Sequence, residues 1–335
     1  MCLTPINTET YMSYLTINRR AALMGGALAV AAPAIISSTT KAQAAGSDLP
    51  LRALAQFSVG DMKITVIDDM LFTVPTAIFG ANAPEGSVDA LFVKYGLGTE
   101  LANVQGAVFL VETGDAKVLI DTGMGDITLP DATADNGRLF AGLAAVGVSP
   151  DDITHVFLTH GHYDHIGGVS KNGVACFPNA AHFMPQAELD YWTSAPSAEA
   201  SFANLMLSYG NDKLNPIKDM IQIVEDGDEI VPGITAIAAP GHTYGHMAVM
   251  LESNGEKLLH LIDTSVHYIV GTNEPTWALG IEQDPAAAHE TRERLFGLAA
   301  DENLLVAGYH FPFPGVGRMS RTEAGAFLYT PVSVS

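Results

Sequence analysis

Along the chain, short runs of alternating apolar and polar residues give way to stretches with the wider spacing of helices. Met62-Lys63-Ile64-Thr65-Val66-Ile67-Asp68 alternates as a half-buried strand does. The apolar runs 107–112 and 117–121 flank Thr113-Gly114-Asp115-Ala116, which predicts a β-hairpin. Leu139, Leu143 and Val146 recur at helical spacing, and Ser149-Pro150-Asp151-Asp152 predicts an N-cap followed by a single helical turn. The run 154–159 holds Val156, Phe157 and Leu158 without interruption, so it predicts a strand buried on both faces. Helices are predicted over 186–193 and 201–209, and strands dominate from 221 to 262. Asp284-Pro285 opens a helix to about residue 300, and 304–307 reads as a last buried strand.

One pattern occurs twice. Val108 to Glu112 followed by Lys117 to Thr122 is echoed by Val249 to Glu252 followed by Lys257 to Thr264, and each copy ends in Ile-Asp-Thr. That repetition suits a fold made of two similar β-rich halves. The irregular mixture of strands and helices predicts an α/β fold of layered sheets flanked by helices, not a barrel of alternating units.

Composition narrows the field. The 335 residues are 48% hydrophobic and 16% charged, enough to bury a substantial core and unlike a disordered, collagenous or coiled-coil chain. Acidic residues number 37 against 16 basic ones, a net charge of −21. Such a field repels phosphate backbones and anionic lipid, so the expected partner is a small molecule, with no nucleic acid and no membrane. Cys2 and Cys176 cannot make a disulfide framework, and Cys176 reads as a small buried apolar residue. Asn18-Arg19-Arg20, an apolar run to Ile36 and Ala42-Gln43-Ala44 have the order of an export signal over residues 1–44. The paired arginines point to the twin-arginine route, and Met12 is a candidate start. Residues 45–335 would then be the working domain, periplasmic or secreted.

The chemistry concentrates in Thr159-His160-Gly161-His162-Tyr163-Asp164-His165, directly after the buried strand. Imidazole and carboxylate in this density suit zinc, iron, cobalt or manganese, and without a cation they would lack partners in a dry interior. With Ile120-Asp121-Thr122-Gly123 upstream, Pro240-Gly241-His242-Thr243-Tyr244-Gly245-His246 and Ile262-Asp263-Thr264 downstream, and His310 after a terminal strand, this run resembles the signature of the metallo-β-lactamase superfamily. The resemblance covers roughly residues 57–320. It implies an αββα sandwich and two divalent metal ions. His160, His162 and His242 would hold one ion, Asp164, His165 and His310 the other, and Asp263 would bridge them. A hydroxide between the ions would attack an ester, with Asp164 or Asp263 able to carry a proton. Asp121 would orient the loop without binding metal, His246 would be structural, and His267 is expected to lie beside Asp263. A homodimer is a further implication.

Within the superfamily, an aspartate rather than a cysteine at 263 speaks against the zinc β-lactamases proper. Few basic residues speak against glutathione thioesterases, the acidic balance against RNA nucleases, and the length against a flavin-bearing diiron protein. The run His310-Phe311-Pro312-Phe313-Pro314-Gly315 resembles the methyl parathion hydrolase branch. That likeness implies a phosphotriesterase with lactone and aryl ester side activity, and a substrate pocket walled by Phe311, Phe313 and Trp192. Residues 75–95 are expected to cover the site. The competing readings are an N-acyl homoserine lactonase, a mononuclear iron dioxygenase and a non-catalytic periplasmic metal carrier.

Overall fold

The computed structural model describes residues 53–128, 136–197 and 201–334, and the expected export signal at 1–44 lies outside them. Strands β1 (Leu54–Val59), β2 (Met62–Pro75), β3 (Leu101–Thr113) and β4 (Ala116–Ile120) form an antiparallel run. Strand β5 (His155–Phe157) joins β4 in parallel. After a small hairpin, β6 (Ser170–Lys171) with β7 (Val174–Ala175), the parallel strands β8 (Ala181–Met184) and β9 (Ile221–Ile223) complete the first sheet. The second sheet repeats the plan. Strands β10 (Glu229–Val231), β11 (Ile234–Ala238), β12 (Met247–Ser253) and β13 (Glu256–His260) are antiparallel, and β14 (Leu305–Ala307) joins β13 in parallel. Strands β15 (Val316–Arg321) and β16 (Phe327–Pro331) close it.

The repeated sequence is a repeated register. Val111 faces Val118 and Glu112 faces Lys117 in one hairpin, while Leu251 faces Leu258 and Glu252 faces Lys257 in the other. Because side chains alternate across a strand, the inward set (Ile64, Val66, Phe109, Val111 and Val118 against Ile234, Val249, Leu251 and Leu258) fills the space between the sheets. The outward set of the first sheet, including Ile67, Leu110, Leu119 and Val156, meets helices α2 (Leu139–Ala145), α3 (Tyr163–Ile166), α4 (Gln186–Trp192) and α5 (Phe202–Leu214). Leu259 and Val306 of the second sheet meet Leu295, Phe296 and Ala299 of α7 (Pro285–Asp301). Two helical layers thus enclose two sheets, an αββα sandwich. The short helices α1 (Ser87–Lys94) and α6 (Val270–Asn273) pack into a separate apolar cluster beside the site.

Several elements differ from expectation. Strand β14 is not the last, since β15 and β16 follow and cover its edge. Helix α5 runs on to Leu214, started by Ser201, whose hydroxyl accepts from the Asn204 N–H at 3.2 Å. Strand β5 stops early because the Thr159 N–H donates to the Asp121 carboxylate at 2.8 Å instead of to a neighbouring strand. The segment 75–95 holds a 3₁₀ turn at Thr76–Ile78 and α1. No helix of the described residues is long and apolar enough to cross a membrane.

Candidate metal centre

Strands β4 and β5 run parallel in the first sheet, as do β11, β13 and β14 in the second, so their C-terminal ends open at one edge of the sandwich. The loops leaving those ends carry Asp121, the 160–165 run, His242, Asp263 and His310. Seven ligand atoms converge there in two buried groups: His160, His162, His242 and Asp263, and beside them Asp164, His165 and His310. His162 Nδ1 lies 3.1 Å from His160 Nε2 and 2.9 Å from His242 Nε2. Asp263 reaches both groups. Its Oδ2 lies 3.1 Å from His242 Nε2 and 3.0 Å from His310 Nε2, and its Oδ1 lies 3.5 Å from His165 Nε2. Asp164 Oδ2 is 3.5 Å from His310 Nε2 and 3.8 Å from His165 Nε2.

This donor set fits two cations. Burial first, then the neighbouring imidazoles, push His160 and His162 well below the usual histidine range, so both rings are neutral and aim lone pairs into one small space. Buried His165 Nε2 and Asp263 Oδ1 have no hydrogen-bond partner, an expense that a bound cation removes. Burial opposes charge on Asp263, but His310, His165 and His242 outweigh it and hold its carboxyl well below the ordinary carboxylate range. Burial likewise opposes a charged His165, yet Asp263, Asp164 and Asp121 raise it well above its ordinary value. Three outer ring nitrogens are held from behind: His165 Nδ1 by Asp121 Oδ2 at 2.8 Å, His310 Nδ1 by the Gln105 carbonyl at 2.7 Å, and His160 Nδ1 by Thr159 Oγ1 at 3.2 Å. Such contacts present each Nε2 lone pair to an ion. Asp121 itself adopts the left-handed φ of 62° and also accepts from the Thr159 N–H and hydroxyl.

Above the ligands lies an apolar pocket. The part of β2 and β3 beyond the hairpin supplies Phe72, Val74 and Val104, α5 supplies Phe202 and Met206, and the roof is Phe79 with Leu279 and Ile281. Among the described residues, neither lysine nor arginine lines it. The three aromatic residues expected as its wall are elsewhere. Trp192 is buried beneath the metal loop, edge-on to His162 at 5.1 Å, with its indole N–H on Glu188. Phe311 is buried under α7, and Phe313 packs into the space between the sheets. His267 is turned away from Asp263. Its ring sits among Phe79, Phe92 and Tyr268, its Nδ1 accepts from the Ile269 and Val270 N–H groups, and burial lowers it to about 4. It borders a second cleft, with Leu101, Asn103 and Pro312, on the outer side of His310.

Other residues hold the ligands and the pocket in place, and of these Glu188 carries no local signal in the sequence. Glu188 accepts hydrogen bonds from two metal-bearing loops. His246 clips the Asp263 N–H to the end of β11, accepting it at Nε2 and donating from Nδ1 to the Ala239 carbonyl. Arg292 anchors the pocket roof from behind through the Pro275 and Trp277 carbonyls and Glu282. His246 was expected as a structural member of its motif, and Arg292 is marked in the sequence as a lone cation on the apolar face of α7.

A two-sheet sandwich with a seven-ligand, two-group histidine–aspartate centre at one edge defines a class of metal-dependent protein. The model of the metallo-beta-lactamase superfamily matches residues 101–310, and the chain belongs to that superfamily. Among curated relatives, an N-acyl homoserine lactonase of Bacillus cereus is 29% identical over 49% of this chain and 66% of its own length. A probable metallo-hydrolase of Mycobacterium tuberculosis is 31% identical over 48% of this chain and 56% of its own length. The matches thus span less than two thirds of either relative. Among solved structures, AidC, a dizinc quorum-quenching lactonase in complex with a product, N-hexanoyl-L-homoserine, superposes with a TM-score of 0.77 at 25% identity, covering 85% of this chain and 99% of its own. The hydrolase AbOPH of the beta lactamase superfamily gives 0.77 at 26% identity, covering 86% and 100%.

Proposed function

We propose that this chain is a two-metal hydrolase of neutral lactones, with N-acyl homoserine lactones as the substrate class and zinc as the metal. The observation that carries this reading is the metal centre at the floor of an apolar pocket with neither lysine nor arginine among its described lining residues. Beyond the ions themselves, an anionic ester would find no lysine or arginine among the described lining residues and would be repelled by a net charge of −21. A neutral ring bearing an apolar tail meets neither obstacle. The named activities of the Bacillus cereus relative and of AidC support the same class.

When bound, the ions would polarise the lactone carbonyl and lower the pKa of a water molecule. The chain's own part is positional. Asp263 ties the two ligand groups together, and Phe72, Phe79 and Leu279 exclude bulk water from the ester. Asp164, which lines the pocket, would take the proton released by the attacking water and pass it to the ring oxygen as the acyl C–O bond breaks. A phosphotriester is a second reading, because Phe72, Phe79 and Phe202 offer rings to an aryl leaving group. Residues 1–44 would place the activity in the periplasm or the medium, which cell fractionation with and without that segment checks.

The deciding experiment measures kcat/KM of the metal-loaded protein on an N-acyl homoserine lactone and on a dimethyl aryl phosphotriester. Lactone turnover is expected to dominate and to vanish with chelator and with His162→Ala. Negligible lactone turnover by protein that holds both ions would refute the reading.

A further inference from the structure

Glu188 is a carboxylate 1% exposed to solvent, in a place where an ionised group needs a reason to be. Its Oε2 accepts from the Gly161 N–H at 2.9 Å and from the Trp192 indole N–H at 2.6 Å, and its Oε1 accepts from the Gly245 N–H at 2.7 Å. Gly161 stands between His160 and His162 in the loop after β5. Gly245 stands three residues beyond His242 in the loop after β11. Those loops leave different sheets and are joined by one backbone hydrogen bond, from the Met247 N–H to the Thr159 carbonyl at 3.1 Å, yet their three histidines must meet within hydrogen-bond distance of one another. One oxygen of Glu188 holds each loop.

The fit around it is close. A Cβ on Gly161 would lie 2.0 Å from Trp192 Cδ1, so the metal loop rests directly on the indole that Glu188 fixes. On the pocket side, the other metal group draws its support elsewhere: His165 from Asp121 and His310 from Gln105.

We propose that Glu188 is a positioning residue that sets the spacing of His160 and His162 against His242, and so governs metal affinity at that group and not at Asp164, His165 and His310. The proposal rests on the two-metal reading but not on the substrate. It is therefore tested by metal binding without substrate, and its failure would leave the lactone reading standing.

The test is Glu188→Gln. The Gly161, Trp192 and Gly245 N–H groups can only donate, with the Thr243 hydroxyl a fourth neighbour, so an amide NH₂ must confront either Gly245 or the Gly161 and Trp192 pair. Stepwise cobalt titration of metal-free protein, followed by its absorption spectrum, yields two dissociation constants, assigned with His162→Ala and His310→Ala as references. The constant of the His160, His162 and His242 group is expected to weaken by about 10–100-fold, with the other held within about threefold. Glu188→Asp retains the charge but is shorter by one carbon–carbon bond, about 1.5 Å, and cannot reach both loops. It should give a smaller loss at the same group, which keeps the proposal testable if the amide variant does not fold. Trp192→Phe removes the indole donor and part of the ring under Gly161 but keeps both carboxylate contacts to the loops, so it should weaken the His160, His162 and His242 group less than Glu188→Gln does and leave the other constant within about threefold. A lower melting temperature with both constants unchanged, or both weakened equally, would overturn the proposal.

Discussion

The contact between Asp121 and His165 allows a sharp test of how the second ligand group is held. Asp121 is fully buried, and its carboxylate receives the His165 Nδ1–H at 2.8 Å together with the N–H and hydroxyl of Thr159. In Asp121→Asn the volume is unchanged but one oxygen becomes an NH₂ group. If the amide nitrogen faces His165, Nδ1 must turn acceptor, the proton moves to Nε2, and the lone pair aimed at the ion is lost. If it faces Thr159, the backbone N–H there is left without an acceptor, and the hydroxyl that backs His160 is disturbed. A hydrogen bond to a charged group contributes about 1.5–3 kcal/mol, which corresponds to roughly 10–150-fold in a binding constant. One of the two metal constants should therefore weaken by about 10–100-fold, as for other groups that orient a ligand. Competition against a chromophoric chelator measures both constants, and circular dichroism checks that the fold persists. Asp121→Asn protein binding two ions, each within about threefold of the parent, would refute the reasoning.

The remaining expectations concern the roof and acid stability. Arg292→Met leaves the Glu282 carboxylate buried without its cation, a change that costs about 3–5 kcal/mol where such pairs are broken. Because Arg292 also holds the carbonyls of Pro275 and Trp277, the loss should loosen Leu279 and Ile281, raise KM more than it lowers kcat, and speed hydrogen exchange over 275–283. Unchanged KM with slow exchange there would contradict it. Burial lowers His267 from 6.5 to about 4, and His246 and His260 from 6.5 to about 3. Unfolded chain takes up these protons below pH 6.5 while folded chain refuses them, so stability present above that pH is lost as pH falls toward 4. His267→Asn keeps an acceptor for the Ile269 and Val270 N–H groups but cannot titrate. Between pH 6.5 and 4 it should reduce the slope of unfolding free energy against pH by up to about 1.4 kcal/mol per unit, read from denaturation at several pH values. An unaltered slope would sink this assignment. Asp69 works in the opposite sense, since burial raises it to about 6, so Asp69→Asn should steepen the same limb.

Legibility in the sequence depends on the distance over which a side chain finds its partners. The metal ligands were legible because each stands in a short motif at a strand end, where the strand fixes the backbone and only the direction of one loop remains open. The duplicated hairpins were legible because register follows from alternation, and Glu112 to Lys117 and Glu252 to Lys257 repeat it residue for residue. The pocket was not. Its apolar wall comes from the overhang of β2 and β3 and from α5, far in sequence from most ligands, and only the folded sandwich brings them over the metals. Proximity in sequence was a poor guide even at one residue's remove. His310 turns into the site while Phe311 points beneath α7, because the chain turns sharply after β14, with the Phe311 N–H on the Gly308 carbonyl at 3.3 Å. The same holds for Trp192, whose aromatic character suggested a substrate wall but whose indole N–H commits it to Glu188. Glu188 shows why such partners stay hidden: Gly161 and Gly245 are 27 and 57 residues away, and a glutamate on the first turn of a helix reads as ordinary N-terminal charge. Asp121 and Glu188 thus divide the work outside the ligand set, one behind His165 and the other between His162 and His242. Where the Asp121→Asn amide nitrogen faces His165, the two substitutions should weaken different ions, and the double variant should lose both by nearly the product of the single effects, since among the described residues the two carboxylates share no hydrogen-bond partner.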